Sequence, residues 1–543
     1  MILSKWKRSA AAFLIAGLAL SLAACGANNS SNGGTPSATS GTSTPSSSPE
    51  PADPMGKYDP GIELTSVKYT LSGWTYPEGD SVENNLYTRE IESRLGIKIS
   101  YDWTVDTAQY GNKLNLSIAS GDIPDFFATP DSKTFISLAK SGQLADLTEI
   151  YETYASDVMK EVTAAFPEGM ESAVYDGKLL ALPNLGSGII ASPHLVWIRD
   201  DWMTQYNLSA PESMEDVVNI ARTFMENNPG TYGIGLEKSL YSGGIANITG
   251  FANAYHAYPT IWLRDEGNEI VYGSIQPEMK AVLQELQNLY KEGVFSKEFG
   301  IKDTNKVNED LLSGKVGIEF GACWNSYFPF TDAVRNDGNA IWKSYALPSS
   351  DGQPVKGQAT WPVSQYFVVN KNCKNPEAII KLANFYLDFE ATLDPSKTNN
   401  LDWQNAPVFF NDSRADYLMG ANLEEALKTG DTSKLSISQK IQYDIVITWE
   451  KDKNPEGYGS YFHKKSLATL KTFVDEDRIL LTQLRGPVPD LYSEKKATLD
   501  KLELDAFTKI IMGDPIDTFD QFVADWKKLG GDEVTAEINS VYK

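Results

Sequence analysis

Val67-Lys68-Tyr69-Thr70-Leu71-Ser72-Gly73-Trp74 opens the folded part of this chain with apolar and polar residues in strict alternation, then a glycine where the run ends. Period-two alternation marks a strand buried on one face. Asp80 or Ser81 is placed to cap a following helix, whose apolar positions Leu86, Ile91 and Leu95 fall on one side, and Gly96 stops it. Residues 97–103, from Ile97 to Trp103, read as the next strand. Strand, helix, strand at this spacing is a βαβ unit, which calls for a parallel sheet with right-handed crossovers. The fold class is therefore α/β.

Further along, Leu114 to Ala119 reads as helix, Ser120-Gly121-Asp122-Ile123-Pro124 as a turn and Asp125-Phe126-Phe127-Ala128 as a short buried strand, so the pattern repeats. The folded part approaches five hundred residues, more than one core usually supports, and two lobes are expected. In the other direction lie Lys5, Lys7 and Arg8, an apolar run from Ala10 to Leu22, and then Leu22-Ala23-Ala24-Cys25. A basic start followed by a short apolar stretch is an export signal, too short to remain as a membrane span. From Gly26 to about Pro54 the chain is nearly all Ser, Gly, Thr, Pro, Asn and Ala, a composition that cannot bury enough apolar surface to offset the entropy of ordering. It reads as a tether of about 30 Å root-mean-square span.

Leu-Ala-Ala running into Cys25 resembles the lipobox of bacterial lipoproteins, and the resemblance implies an acylated Cys25 at the head of the mature chain. Residues 1–24 are then signal peptide and 25–57 tether, with the body held at the outer face of the cell membrane. Forty-eight basic against 72 acidic residues give a net charge of −24, and loss of Lys5, Lys7 and Arg8 with the signal takes it to −27. Such an exterior repels phosphate backbones and argues against nucleic acid as a partner. With Cys25 lipidated, only Cys323 and Cys373 remain to pair, so there is no disulfide framework.

Six further segments carry a second resemblance. They are Ser120-Gly121-Asp122-Ile123-Pro124-Asp125, Gly142-Gln143-Leu144-Ala145-Asp146-Leu147-Thr148, Asp176-Gly177-Lys178-Leu179-Leu180-Ala181-Leu182-Pro183, Trp197-Ile198-Arg199-Asp200-Asp201-Trp202, the run Gly314 to Trp324, and the run Phe519 to Gly531. In order and spacing they resemble extracellular solute-binding proteins of family 1, the sugar-capturing subunits of ABC importers. The resemblance implies a two-lobed, type II periplasmic-binding-protein-like fold, each lobe a mainly parallel sheet flanked by helices, with a ligand cleft between lobes that closes on its occupant. Lobe 1 is expected over 58–192 and 362–430, lobe 2 over 193–361 and 431–543, with crossings near 190–196 and 358–364. It also implies an oligosaccharide ligand, ABC permease subunits as partners, and a monomer.

Ligands of open α/β sheets sit beyond the carboxyl ends of strands. A sugar's C–H face packs on an aromatic plane, so aromatics just after strands are the ligand candidates: Trp74, Trp324, Trp361 and Trp403. Thr129 and Asp131, in the turn after Asp125–Ala128, are the first side chains there able to meet a hydroxyl, although Asp131 reads equally as the cap of the next helix. Asp125 reads as a brace for a neighbouring backbone, and Trp197, Trp202 and Trp526 as core. Tyr458-Gly459-Ser460-Tyr461-Phe462 is expected to add an aromatic loop that lengthens the cleft.

No catalytic residues, metal or cofactor are assigned. His194, His256 and His463 are far apart with no H-E-x-x-H, there is no G-x-S-x-G elbow, and neither Gly177-Lys178 nor Gly314-Lys315 lies in a phosphate loop. Asp265-Glu266-Gly267-Asn268-Glu269 lacks the alternating spacing of a calcium loop and reads as a hairpin turn. A secreted carbohydrate-active hydrolase would need two positioned carboxyl groups, which 72 acidic residues neither exclude nor single out. A surface sensor or adhesion protein on the same fold would share all of these features.

Overall fold

The first strand, β1 (Ile62–Thr70), leads into a helix, Leu86–Leu95, that starts later than its polar run suggests. Asn85, rather than Asp80 or Ser81, is the cap: its Oδ1 accepts from the amides of Tyr87 and Thr88, while Thr88 Oγ1 accepts from the Asn85 amide. Several residues in that run can cap, and the reciprocal bond with Thr88 selects one of them. Gly96 ends the helix at φ +67°, where an added Cβ would stand 2.6 Å from Tyr58 O. The computed structural model describes residues 52–70, 76–186, 189, 191–241, 243–363, 365–393, 402–486 and 488–542, the side chains of Asp402 and Trp403 excepted. Trp74 and Cys25 lie outside them.

In chain order β2 (Ile97–Asp106), β3 (Phe126–Thr129), the hairpin β4 (Val174–Tyr175) and β5 (Lys178–Leu179), and β6 (Ala181–Asn184) complete the first pass. β1 and β2 pair in parallel, as the βαβ reading requires. Asp125 ties this pair to the next strands: its Oδ2 accepts from Thr65 N at 2.9 Å and Thr65 Oγ1 at 3.1 Å, the bracing role expected of it.

The chain then crosses into β7 (Leu195–Arg199), β8 (Tyr232–Ile234), β9 (Trp262–Arg264), β10 (Ile270–Tyr272), β11 (Val316–Gly321), β12 (Trp342–Tyr345) and β13 (Gly357–Ala359). It returns as β14 (Gln365–Val369), and β15 (Ile479–Leu481) later pairs with β13. Asp265–Glu269 forms the turn of the β9–β10 hairpin.

The crossing strands change the expected sheet. β14 lies between β3 and β6 and runs antiparallel to both, and β7 lies between β12 and β11 and runs antiparallel to both. Parallel pairing survives at β1/β2 and β8/β11. Lobe 2 therefore holds a mixed four-stranded sheet and lobe 1 an antiparallel three-stranded sheet beside the separate parallel β1/β2 pair, rather than mainly parallel sheets, because the middle of each receives a strand arriving from the other lobe.

The two largest of the buried clusters follow the two lobes. Leu64, Phe127, Phe135, Leu182, Val368, Phe385 and Phe410 belong to one; Val196, Phe224, Leu283, Ile318, Phe507 and Trp526 belong to the other. Each such side chain, fully buried, is worth about 1.5–3 kcal/mol against exposure. Trp197, Trp202 and Trp526 are buried, as expected of core residues. The helix Ala415–Thr429, placed by sequence with lobe 1, packs instead on Pro455–Asp475, where a Cβ on Gly420 would meet Leu467 Cβ at 3.0 Å. That second helix also overturns the expected aromatic loop, since Tyr458 and Phe462 are buried inside it.

Candidate ligand-binding site

β11 decides what this face of lobe 2 displays. Its six residues are all buried between β7 and β8, so the chain reaches Gly321 with no freedom to shift. Ala322 N then donates to Gly244 O at 2.8 Å, and Trp197 Nε1 donates to Ala322 O at 3.1 Å. A single helical turn, Cys323–Ser326, follows and continues through Tyr327 N and Phe328 N, which reach Trp324 O at 2.9 and 3.5 Å. Trp324 and Phe328, both carried by this turn and its continuation, are 39% and 47% exposed, the only exposed tryptophan and phenylalanine among the described residues. An aromatic pair left in water by a protein that buries its other rings marks a contact surface.

The layer beneath is closed. Cys323 is buried and its carbonyl lies 3.2 Å from His463 Nδ1, whose ring lies 4.8 Å from that of Tyr327 at a tilt of 46°. Gly459 makes room for that ring, since a Cβ there would lie 2.7 Å from Tyr327 Cδ1. Behind the turn, Glu319 is fully buried: Oε1 accepts from Asn325 Nδ2 at 2.6 Å and Oε2 from Ala246 N at 2.8 Å. Burial pushes its pKa up to about 7 against the opposing pull of those two donors. Gly244, at φ +72°, packs under the indole: a Cβ there would touch Trp324 Cζ2 at 3.0 Å.

Buried polar groups lie next to the two crossing strands. His194 directly precedes β7, and burial pushes its pKa down to about 4, partly offset by Asn247 beside it. His194 Nδ1 and Asn247 Nδ2 are buried without closing a hydrogen bond of ordinary geometry, and so is Gln365 Nε2 at the start of β14. Open hydrogen-bonding capacity of this kind is what a hydroxyl-rich ligand satisfies.

The other candidates fare differently. Thr129 is fully buried and its hydroxyl donates to Tyr366 O at 3.4 Å, because β3 extends one residue past the expected turn and draws it into the ladder with β14. It offers nothing to solvent, which corrects its assignment as a ligand group. Asp131 is exposed and acts as the cap of the helix Ser132–Lys140, its Oδ1 accepting from Thr134 N at 2.7 Å. Trp361 is half-buried at the edge of the lobe 1 core, 5.3 Å from the Phe166 ring. Trp74 and the Trp403 side chain lie outside the described residues. Cys323 and Cys373 are both free. Sequence reading missed Phe328, His194, Asn247 and Glu319; only Phe328 carried a signal, its four-residue spacing from Trp324.

Residues 90–392 match the family of bacterial extracellular solute-binding proteins. Lipoprotein LipO of Bacillus subtilis (strain 168) is 25% identical over 479 residues, spanning 84% of this chain and 88% of that protein. The polygalacturonan/rhamnogalacturonan-binding protein YtcQ of the same organism is 23% identical over 487 residues, 84% and 87% of the two chains. The Streptococcus pneumoniae ABC-transporter substrate-binding protein FusA, solved in complex with kestose, shares the fold with a TM-score of 0.60 at 15% identity, over 89% of this chain and 99% of that one. Family match and sheets threaded by crossing strands agree: the chain belongs to the bacterial extracellular solute-binding proteins.

Proposed function

We propose that this protein captures an oligosaccharide between its lobes and delivers it to the permease of an ABC importer, without altering the sugar, from a lipid anchor at Cys25 on the outer face of the cell membrane. The observation that carries the reading is the exposed pair Trp324 and Phe328, held at the end of a wholly buried strand. An aromatic plane fixed in water suits the C–H face of a pyranose or furanose ring, and the polar groups of His194, Asn247 and Gln365 suit its hydroxyls. The names of YtcQ, a polygalacturonan/rhamnogalacturonan-binding protein, and FusA, solved in complex with kestose, support a carbohydrate. A net charge of −27 once the signal's three basic residues are lost favours an uncharged glycan over a polyanion.

The test is a thermal-shift screen of residues 58–543 against neutral fructans, neutral plant and microbial oligosaccharides and oligogalacturonates, with chromatography of the same wells. Ligand at 100 times its dissociation constant should stabilise by about 2.7 kcal/mol. A shift with the sugar recovered intact is expected. Cleaved sugar overturns capture in favour of hydrolysis, and silence across the panel removes the carbohydrate reading.

A further inference from the structure

We infer that Glu319 is the positioning residue of the aromatic shelf: its buried carboxylate joins two backbone segments and thereby fixes where Trp324 and Phe328 stand, setting the grip on a sugar ring. The inference rests on the reading of that shelf as the sugar contact.

Three observations converge on this one side chain. Its two oxygens accept from different segments, Oε2 from the Ala246 amide and Oε1 from Asn325 Nδ2. Asn325 belongs to the very turn that carries Trp324, and its amide also donates to Gly244 O at 3.1 Å, on the glycine that lies under the indole. Ala246 holds φ +50° without being glycine, a conformation that persists only where its surroundings impose it. The bonds of Ala246 N to Glu319 and of Glu237 N to Ala246 O, at 2.8 and 3.0 Å, do so.

A buried carboxylate is an expensive way to join two segments, and an apolar residue at β11 would be cheaper for stability alone. What the carboxylate adds is two acceptors and no donor, matched to two donors that have to be held a fixed distance apart. A proton on either oxygen adds a donor with no acceptor facing it and weakens that oxygen's bond from Ala246 or Asn325. The groups facing Glu319 are the Ala246 amide, Asn325, Gly321 and, across the ladder, Trp197, none of which titrates. The shelf should therefore loosen as Glu319 takes up its proton, around pH 7.

The experiment uses 5-fluorotryptophan-labelled protein of residues 58–543, with the Trp324 fluorine resonance assigned by its loss in Trp324→Phe. In the unsubstituted protein this resonance should be sharp at pH 8 and should move and broaden with a midpoint about 7. In Glu319→Gln it should be broad or split at every pH, while Trp342 and Trp526 keep their positions. Affinity for whichever oligosaccharide the screen yields should fall about tenfold and lose its pH dependence. A Trp324 resonance in Glu319→Gln as sharp and as pH-responsive as in the parent overturns the inference, and it does so without any sugar, so a wrong ligand class cannot mimic that result. Should Glu319→Gln fail to fold, Asn325→Ala is read in the same way, a parental resonance again overturning the inference.

Discussion

The ends of β3 and β11 occupy matching places in the two lobes, each a buried strand beside a crossing strand and each followed by a turn into helix. They do opposite things with their side chains. At β3 the polar residues are consumed at once: Thr129 closes onto Tyr366 O and Asp131 caps the helix behind it. At β11 the polar residues, Glu319 and Asn325, are buried beneath the turn, and the aromatics are left outside. Small polar side chains next to a helix start are captured by local backbone donors before any ligand arrives. A displayed side chain needs a neighbour below it that satisfies the backbone in its place.

The contrast breaks most decisively at Trp324→Ala. If lobe 2 displays what lobe 1 conceals, this change should cost about 2–4 kcal/mol of ligand affinity with little loss of stability, since the ring is already 39% exposed. Isothermal titration beside thermal melting separates the two; equal affinity in parent and variant would erase the distinction between the strand ends. A second break concerns charge. Glu319 and Glu503, both buried in lobe 2, have pKa values pushed up by burial to about 7. The folded state then binds their protons more tightly than the unfolded chain, so their stabilisation is complete below about pH 4.5 and is lost as pH rises through about 7. His194 works in the other sense: its pKa is pushed down to about 4, so it favours the folded state increasingly as pH rises from about 4 to 6.5. Urea unfolding at pH 5 and pH 8 should show Glu319→Gln and Glu503→Gln losing less stability on going to pH 8 than the parent does, by on the order of a few kcal/mol each. Parallel pH dependence in parent and variants would mean that neither carboxylate titrates as buried.

Much of this was legible in the chain. The alternation from Val67 and the stop at Gly96 reveal a strand, a helix and a second strand in order, although β1 begins at Ile62 and the helix is capped by Asn85, and the strand Val316–Phe320 followed by a tryptophan points to Trp324. Other features depend on contacts distant in sequence. Nothing local in Gln365–Val369 or Leu195–Arg199 says that these strands enter a sheet from the opposite lobe, so their antiparallel register could not be read. Gly457 and Gly459 look like loop residues, yet they sit in a helix started by Asn454 and Pro455; they are glycine because Trp449 and Tyr327 press against them, with Cβ positions 2.9 and 2.7 Å from those side chains. Glu319 gave no signal because a glutamate in a strand ordinarily faces water, and only the fold shows two donors waiting for it.

Gly321 sharpens the contrast by steric means. A Cβ there would lie 2.2 Å from Asn325 Nδ2 and 2.8 Å from Gly244 O, so Gly321→Ala has to push apart the bonds that hold the turn. About 1–3 kcal/mol of stability should be lost, as is usual for overpacking, together with ligand affinity, because shelf and support move as one. Loss of stability with intact affinity would uncouple them.

The smallest expected effect is the most pointed one for lobe 1. Asp131 is exposed, lies just past the end of β3, and has the chemistry of a sugar ligand, so its position alone does not distinguish cap from contact. The bond of its Oδ1 from Thr134 N at 2.7 Å shows the cap role in use, and affinity is the measurement that tells whether the remaining lone pairs also serve a ligand. Asp131→Ala should therefore cost about 1 kcal/mol of stability, the usual worth of an N-cap, and leave affinity within experimental error. Asp131→Ser, which keeps a cap acceptor but shortens the reach, should recover most of the stability. If affinity instead falls with Asp131→Ala and does not return with Asp131→Ser, the carboxylate serves ligand as well as helix, and the two strand ends share the work of binding.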